Sequence, residues 1–199
     1  MRKVGGVGLV AGPAAFVGAW ALGGARTPGY SFVRDTISRT AAVGAPQREL
    51  MTAGFVAYAV GVGLGALALR RVLPGRAWLA VAVSAGGTAG VALTPLDTSA
   101  AVDQAHALAA TVGYVGLATA PVLAARPLAE AGARGAARVS VLAGVVIGAA
   151  LAATAVTDQA TGLAQRVGLT TGDLWLAAAG VALLTGAGRE VGPRAAGAR

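Results

Sequence analysis

Six apolar runs, each about long enough to cross a bilayer as a helix, dominate this 199-residue chain. A helix needs about 20 mainly apolar residues to span a hydrocarbon core of ~30 Å. The gaps between the runs are too short to bury a soluble core of their own. The chain is therefore predicted to be an all-α integral membrane protein, a bundle of six transmembrane helices. The runs are Val4–Gly23, Leu50–Leu69, Ala77–Leu93, Ala105–Ala125, Val139–Val156 and Leu169–Gly188.

The charge content supports a membrane protein. Charged residues make up 12% of the chain, whereas soluble domains carry about 25%. The formal charge of +8 is not clustered with aromatic residues on one face, so no nucleic-acid partner is expected. We expect a single polytopic domain over residues 1–199, with membrane lipid as its surroundings.

The distribution of basic residues predicts the topology. Of the 16 basic residues, 11 lie in one alternating set of gaps and 5 in the other. Cytoplasmic loops carry the excess of Lys and Arg, so both termini are predicted to be cytoplasmic, and residues 189–199 form a basic cytoplasmic tail. A cleaved signal peptide ending near Ala19-Trp20-Ala21 is the alternative for the first run. The length of that run and the charge alternation favour a retained helix.

Small residues recur at four-residue spacing within the runs. Such pairs let helix backbones approach closely, which holds membrane helices together. We interpret them as structural rather than as ligand sites. The pairs are Gly8/Gly12, Gly61/Gly65, Gly86/Gly90 and Gly144/Gly148.

The first predicted outer gap contains Gly29-Tyr30-Ser31-Phe32-Val33-Arg34-Asp35-Thr36-Ile37-Ser38. On a short interfacial helix, Asp35 and Arg39 would form an i,i+4 ion pair. Ser31 is suited to cap such a helix. A solvated amphipathic loop is the alternative interpretation.

The second and third outer gaps hold further polar groups. His106, the single histidine, falls about one turn into the fourth predicted helix, and Asp103 three residues earlier could orient its ring. Asp97 lies just after the third helix, where the loop could bring it back to the same site. In the third gap, Arg166 is the one cation, and Trp175 is expected to anchor the sixth helix at the interface.

These residues make a poor metal site. One histidine without cysteine is an unsuitable zinc set, and no HExxH spacing occurs, so no metal or cofactor is predicted. Serine catalysis by Ser38 or Ser31 with His106 and an aspartate is possible, although the chain has no GxSxG motif.

The three polar motifs resemble a family of prokaryotic membrane proteins known as domain of unknown function 998. They are GYSFVRDTIS, then TPLD with a downstream histidine, then GLAQRV with a later tryptophan. The resemblance implies a six-helix bundle in a bacterial cytoplasmic membrane, but no function. In the third motif Gln165 stands where the family pattern has glutamate. The resemblance marks Tyr30, Ser31, Arg34, Asp35, Ser38, Asp97, His106, Arg166 and Trp175.

The preferred hypothesis is a polar site at the outer face that binds or acts on an anionic lipid or an isoprenoid. Arg34 and Arg166 would pair with the anionic group, and Asp35 and His106 would exchange protons, with Asp103 orienting the histidine. A small transporter or sensor is a second hypothesis, although no charge is expected at the bundle centre. The third is a structural or partner-binding membrane protein without catalysis.

Overall fold

The computed structural model describes residues 1–186. These residues form six α-helices and one short 3-10 helix, Ile37–Ala41, and include no β-strand. The basic tail predicted over residues 189–199 lies outside them. The helices are α1 (Arg2–Ala25), α2 (Arg48–Val72), α3 (Ala77–Leu93), α4 (Ala100–Glu130), α5 (Arg134–Val156) and α6 (Thr161–Thr185).

The all-α prediction is confirmed, and the helices are those of a membrane protein. Within residues 1–186, five helices are long and apolar enough to cross a membrane, and α3, with 17 residues, is shorter. The number of spans and the cytoplasmic position of the termini stay predictions.

The predicted boundary of the last helix was wrong. The helix α6 begins at Thr161, eight residues before the predicted Leu169. The apolar run begins only after the polar residues Gln165 and Arg166. Both side chains have hydrogen-bond partners in the folded protein, so the helix includes them and starts earlier than the apolar run. Asp173 therefore lies 12 residues into α6, about 18 Å from its start. It is buried in the middle of the bundle.

The six helices pack as a closed ring. Each helix packs against its neighbour in the chain, and α6 returns to pack against α1. Three interhelical segments meet at one end of the ring, which we call the loop end. They are residues 26–47, 94–99 and 157–160.

Close contacts at glycine residues hold the helices of the ring together, but not every glycine of the predicted pairs makes one. Gly61 packs so closely on α1 that an added Cβ would lie 2.6 Å from the carbonyl oxygen of Gly8. The prediction is wrong for Gly86 and Gly148, where an added Cβ would meet no atom within 4 Å. The close glycine of α3 is Gly87, which packs against Gly113 of α4. Spacing alone does not reveal which helix face meets a neighbour.

We predict that Gly61→Ala destabilises the protein by about 1–3 kcal/mol, because the new methyl group forces α1 and α2 apart. Gly86→Ala is the matched control, since its methyl group enters open space. Thermal unfolding in detergent, followed by circular dichroism, checks both variants. Equal melting temperatures would contradict the packing described for α1 and α2.

A second prediction concerns topology. The sequence has no cysteine, so single reporter cysteines can be introduced. Thr98→Cys at the loop end should react with a membrane-impermeant maleimide added to intact cells. Pro74→Cys, which is exposed in the turn between α2 and α3 at the opposite end, should react only after the cells are opened. The reverse result would overturn the predicted orientation.

Candidate functional site

Residues 26–47 form an ordered cap over the loop end. Its first part is a single turn in which the backbone N–H of Arg34 donates to Ser31 Oγ (3.3 Å) and that of Ser31 donates to Asp35 Oδ2 (2.6 Å). Ser31 thus caps this turn, while the following 3-10 helix has no side-chain cap at Thr36. The Asp35 carboxylate is used locally, to close the turn.

The expected ion pair between Asp35 and Arg39 was wrong. Arg39 instead reaches across to Asp97, with 3.2 Å between Nη1 and Oδ2. Asp97 has a left-handed backbone (φ 65°), and its N–H donates to Asp103 Oδ1 over 3.0 Å. Asp103 therefore holds the α3–α4 turn and does not orient the histidine as predicted.

Arg166 attaches the cap to α6. Its Nη1 donates to the backbone carbonyl oxygens of Phe32 (2.7 Å), Asp35 (3.0 Å) and Gly162 (2.8 Å), and its Nη2 donates to the Tyr30 hydroxyl. The side chain is 7% exposed. Its guanidinium lies over the rings of Trp20, Tyr30 and Phe32, at 5.0–5.5 Å from the ring centroids. Carbonyl oxygens and aromatic faces thus surround the charge. Arg166 makes these contacts within the protein, instead of the predicted pairing with an anionic ligand.

Tyr30 completes this contact. Its hydroxyl donates to the backbone carbonyl oxygen of Thr36 (3.0 Å). Burial raises the pKa of Tyr30 above its ordinary value, against the opposing effect of Arg166. The hydroxyl therefore stays protonated at neutral pH and keeps its role as a donor.

Ser38 and His106, two of the predicted site residues, are hydrogen-bonded to each other. His106 Nε2 lies 2.9 Å from Ser38 Oγ, and His106 Nδ1 lies 2.6 Å from the carbonyl oxygen of Thr94. Ser38 is 8% exposed and His106 6% exposed. The contact joins the cap to the end of α3 and the start of α4.

Directly below Ser38 lies a cavity between the helices, which we call the loop-end cavity. The cavity has a volume of about 50 Å³. Its apolar wall includes Phe16, Phe55, Leu117 and Leu169. Its polar lining consists of Ser38, Tyr58, Ser84, Thr88, Tyr114 and Gln165.

Two groups in this cavity were missed in the sequence. The Tyr114 hydroxyl is buried and has no hydrogen-bond partner within the described chain. Gln165 Oε1 accepts the N–H of Ile37 (2.7 Å), so its amide group sits against the cap. Tyr114 was not predicted as a site residue because it lies within an apolar run. Gln165 was not predicted because the sequence placed it in a loop.

A second, open pocket lies on the outside of the cap, with a volume of about 330 Å³. Its polar side chains are Thr27, Tyr30, Asp35, Arg39 and Asp97. Two carboxylates against one guanidinium do not favour an anion. Arg34, the other expected anion ligand, is exposed, and its side chain forms no hydrogen bond or ion pair with residues 1–186.

Trp175 lies farther along the sixth helix than the sequence predicted. It lies 14 residues into α6, and its Nε1 donates to Ser140 Oγ of α5 over 2.9 Å. The early start of α6 places it in the second half of that helix, where it joins α6 to α5.

We predict that Arg166→Gln lowers the free energy of unfolding by at least about 3 kcal/mol, because several buried carbonyl oxygens lose a charged donor. Arg39→Gln is the matched control. Its ion pair is half-exposed, and exposed pairs contribute about 0–1 kcal/mol. Melting temperatures in detergent check the difference, and equal losses in both variants would contradict it.

The family comparison confirms the resemblance noted in the sequence. Residues 10–182 match a family model described as "Protein of unknown function (DUF998)". No curated protein and no solved structure matches the chain. The match covers all six helices at least in part, as well as the cap, and the chain therefore belongs to the DUF998 family.

Proposed function

We propose that this protein is a membrane-embedded hydrolase in which Ser38, activated by His106, cleaves an ester of a lipid-like substrate at the predicted outer face. The observation that carries the proposal is the pair of hydrogen bonds made by His106. A nucleophile bonded to a base that is itself oriented by a third group is the general arrangement of nucleophilic catalysis.

The hydrogen bonds define the tautomer. A carbonyl oxygen only accepts, so the 2.6 Å contact with Thr94 requires a proton on His106 Nδ1. In the neutral ring, Nε2 is then unprotonated and accepts the hydroxyl proton of Ser38. The backbone carbonyl thus takes the orienting role for which Asp103 was expected, and the histidine is held as a general base.

The reaction follows from this geometry. Ser38 Oγ bonds to the ester carbonyl carbon while its proton passes to Nε2. The bond to the alcohol oxygen then breaks, and that oxygen takes the proton from Nε2. Water next bonds to the acyl carbon and gives a proton to Nε2, and the bond to Ser38 breaks as Oγ recovers that proton.

The loop-end cavity supplies two further features that ester hydrolysis needs, a hydrogen-bond donor for the substrate carbonyl and an apolar wall for the acyl group. The Tyr114 hydroxyl lines the same cavity as Ser38, near the Gln165 side chain, and is positioned to donate to a substrate carbonyl. Phe16, Phe55 and Leu117 provide an apolar wall for an acyl group. A neutral ester fits better than the expected anionic lipid, because the Nη groups of Arg166 already donate to the cap.

A structural function is the competing candidate, and the same hydrogen bonds favour it. His106 joins the cap, α3 and α4, so it could serve only to hold the loop end together. The two functions differ in whether Ser38 reacts.

The test is covalent labelling of the purified protein with an apolar fluorophosphonate, which forms a bond with activated serine hydroxyls. We expect Ser38 to be labelled, and His106→Gln to reduce the labelling rate at least about 100-fold, since general-base catalysis contributes 10²–10⁴-fold. Mass spectrometry of the peptides locates the label.

Ser84 provides the internal control. It is buried in the same cavity, but its Oγ bonds to the Tyr58 hydroxyl (3.2 Å) and not to a histidine. It should remain unlabelled. If Ser38 fails to react in folded protein, or reacts equally well in a folded His106→Gln variant, the hydrolase proposal fails. A lowered melting temperature in Ser38→Ala would then favour the structural function.

A further inference from the structure

Asp173 is a buried acid in the middle of the bundle. It is 4% exposed, and neither carboxylate oxygen has a hydrogen-bond partner within residues 1–186. The sequence led us to expect no charged residue at this depth, and that expectation was wrong. The hydrolase proposed above does not use this carboxyl group.

Asp173 lies between two cavities. On α6, Leu169 lines the loop-end cavity one turn before it, and Ala179 lines a second cavity less than two turns after it. Gly172 packs on Leu117, another residue of the loop-end cavity. The second cavity is larger, about 250 Å³, and mostly apolar. Of the two cavities, the loop-end cavity is the one with more polar groups in its lining.

The surroundings of Asp173 oppose a negative charge. An ionised carboxylate without a partner is costly to bury, whereas a carboxyl group that has bound a proton is neutral. A metal cation would need several ligands, and residues 1–186 contain no cluster of three or more acidic or histidine side chains that could hold one. A proton is the ligand that requires no further acidic group.

The titratable groups near Asp173 include no positive charge that pairs with its carboxyl group within the described residues. Tyr58 of α2 and Tyr114 of α4 are its electrostatic neighbours. On α6 itself, Arg166 lies two turns away and donates to the cap. The helix α3 has no titratable side chain, and those of α1 and α5 lie in their first two turns at the other end.

We propose that Asp173 is a proton-binding site in the centre of the membrane bundle that exchanges its proton with the aqueous phase at the loop end. The Tyr58 hydroxyl and Ser84 Oγ are already hydrogen-bonded, 3.2 Å apart. The loop-end cavity has space for about three water molecules, at roughly 15 Å³ each. Together these groups provide a path for a proton past Ser38 toward Asp173.

This site gives the bundle a way to respond to pH on one side of the membrane. Loss of the proton places a negative charge among tightly packed helices, which favours a rearrangement of those helices. The site thus supports a sensor or a proton-coupled transporter, and it does not depend on whether Ser38 is a nucleophile.

The test uses dicyclohexylcarbodiimide, an apolar reagent that adds to protonated carboxyl groups. The carboxyl O–H adds across a C=N bond, and the acyl group then moves to nitrogen, leaving a stable adduct with the mass of one reagent molecule. The 199-residue chain is reconstituted in liposomes of neutral lipid. The Thr98→Cys reporter identifies the orientation in which the loop end faces outward. Mass spectrometry then measures the adduct at Asp173.

We expect Asp173 to be labelled, and its labelling to fall at least tenfold when the pH at the loop end is raised while that at the opposite end is held constant. Asp173→Asn should remove this adduct, and exposed Asp158 in the α5–α6 loop should remain unlabelled as an internal control. Ser84→Ala, which breaks the hydroxyl pair with Tyr58, should slow the response to a pH jump.

Two results would overturn the proposal. In the first, folded protein shows no adduct at Asp173 at any pH, which means that this carboxyl does not bind a proton. In the second, labelling follows only the pH at the opposite end, which excludes the route through the loop-end cavity. Neither result bears on the fluorophosphonate reaction of Ser38.

Discussion

The architecture of the loop end depends on one buried guanidinium. Arg166 extends from the first turns of α6 and donates to two backbone carbonyl groups of the cap, Phe32 and Asp35, and to the Tyr30 hydroxyl. A charge at this depth is tolerated because carbonyl oxygens and three aromatic rings replace its hydration. By fixing the cap, it also fixes the 3-10 helix that carries Ser38. The relative positions of Ser38 and His106 thus depend on a contact between residues that lie more than 100 positions apart in the chain.

The closed ring of helices creates the second constraint. Close contacts such as Gly61 on Gly8 and Gly87 on Gly113 bring neighbouring helices together around the circumference. The interior is filled less completely, and two cavities remain at different depths. Polar groups that would be unfavourable against lipid can face these spaces. Tyr114, Gln165 and Asp173 all lie on this interior side, where each of the two proposals draws its chemistry.

The polar residues identified in the sequence do not form one site. Tyr30, Asp35 and Arg166 belong to the attachment of the cap, while Arg39, Asp97 and Asp103 stabilise the neighbouring turn. Ser38 and His106 form a separate hydroxyl–imidazole contact. A carboxylate near a guanidinium in sequence was expected to pair with it, but in the folded chain Asp35 closes its own turn and Arg39 finds Asp97. Local spacing could not predict this result, because the competing partner is 58 residues away.

The sequence by itself determined the helical membrane class and the family, because long apolar runs and short motifs are properties of consecutive residues. It also identified most of α1 to α5 and the polar segments between them. Only the tertiary structure decided that α6 continues through Gln165 and Arg166, since their partners belong to the distant cap. For the same reason only the folded ring shows that Asp173 is central and that Thr94, not Asp103, orients His106. Burial and hydrogen bonding depend on what the other helices bring near, and a single stretch of sequence does not contain that information.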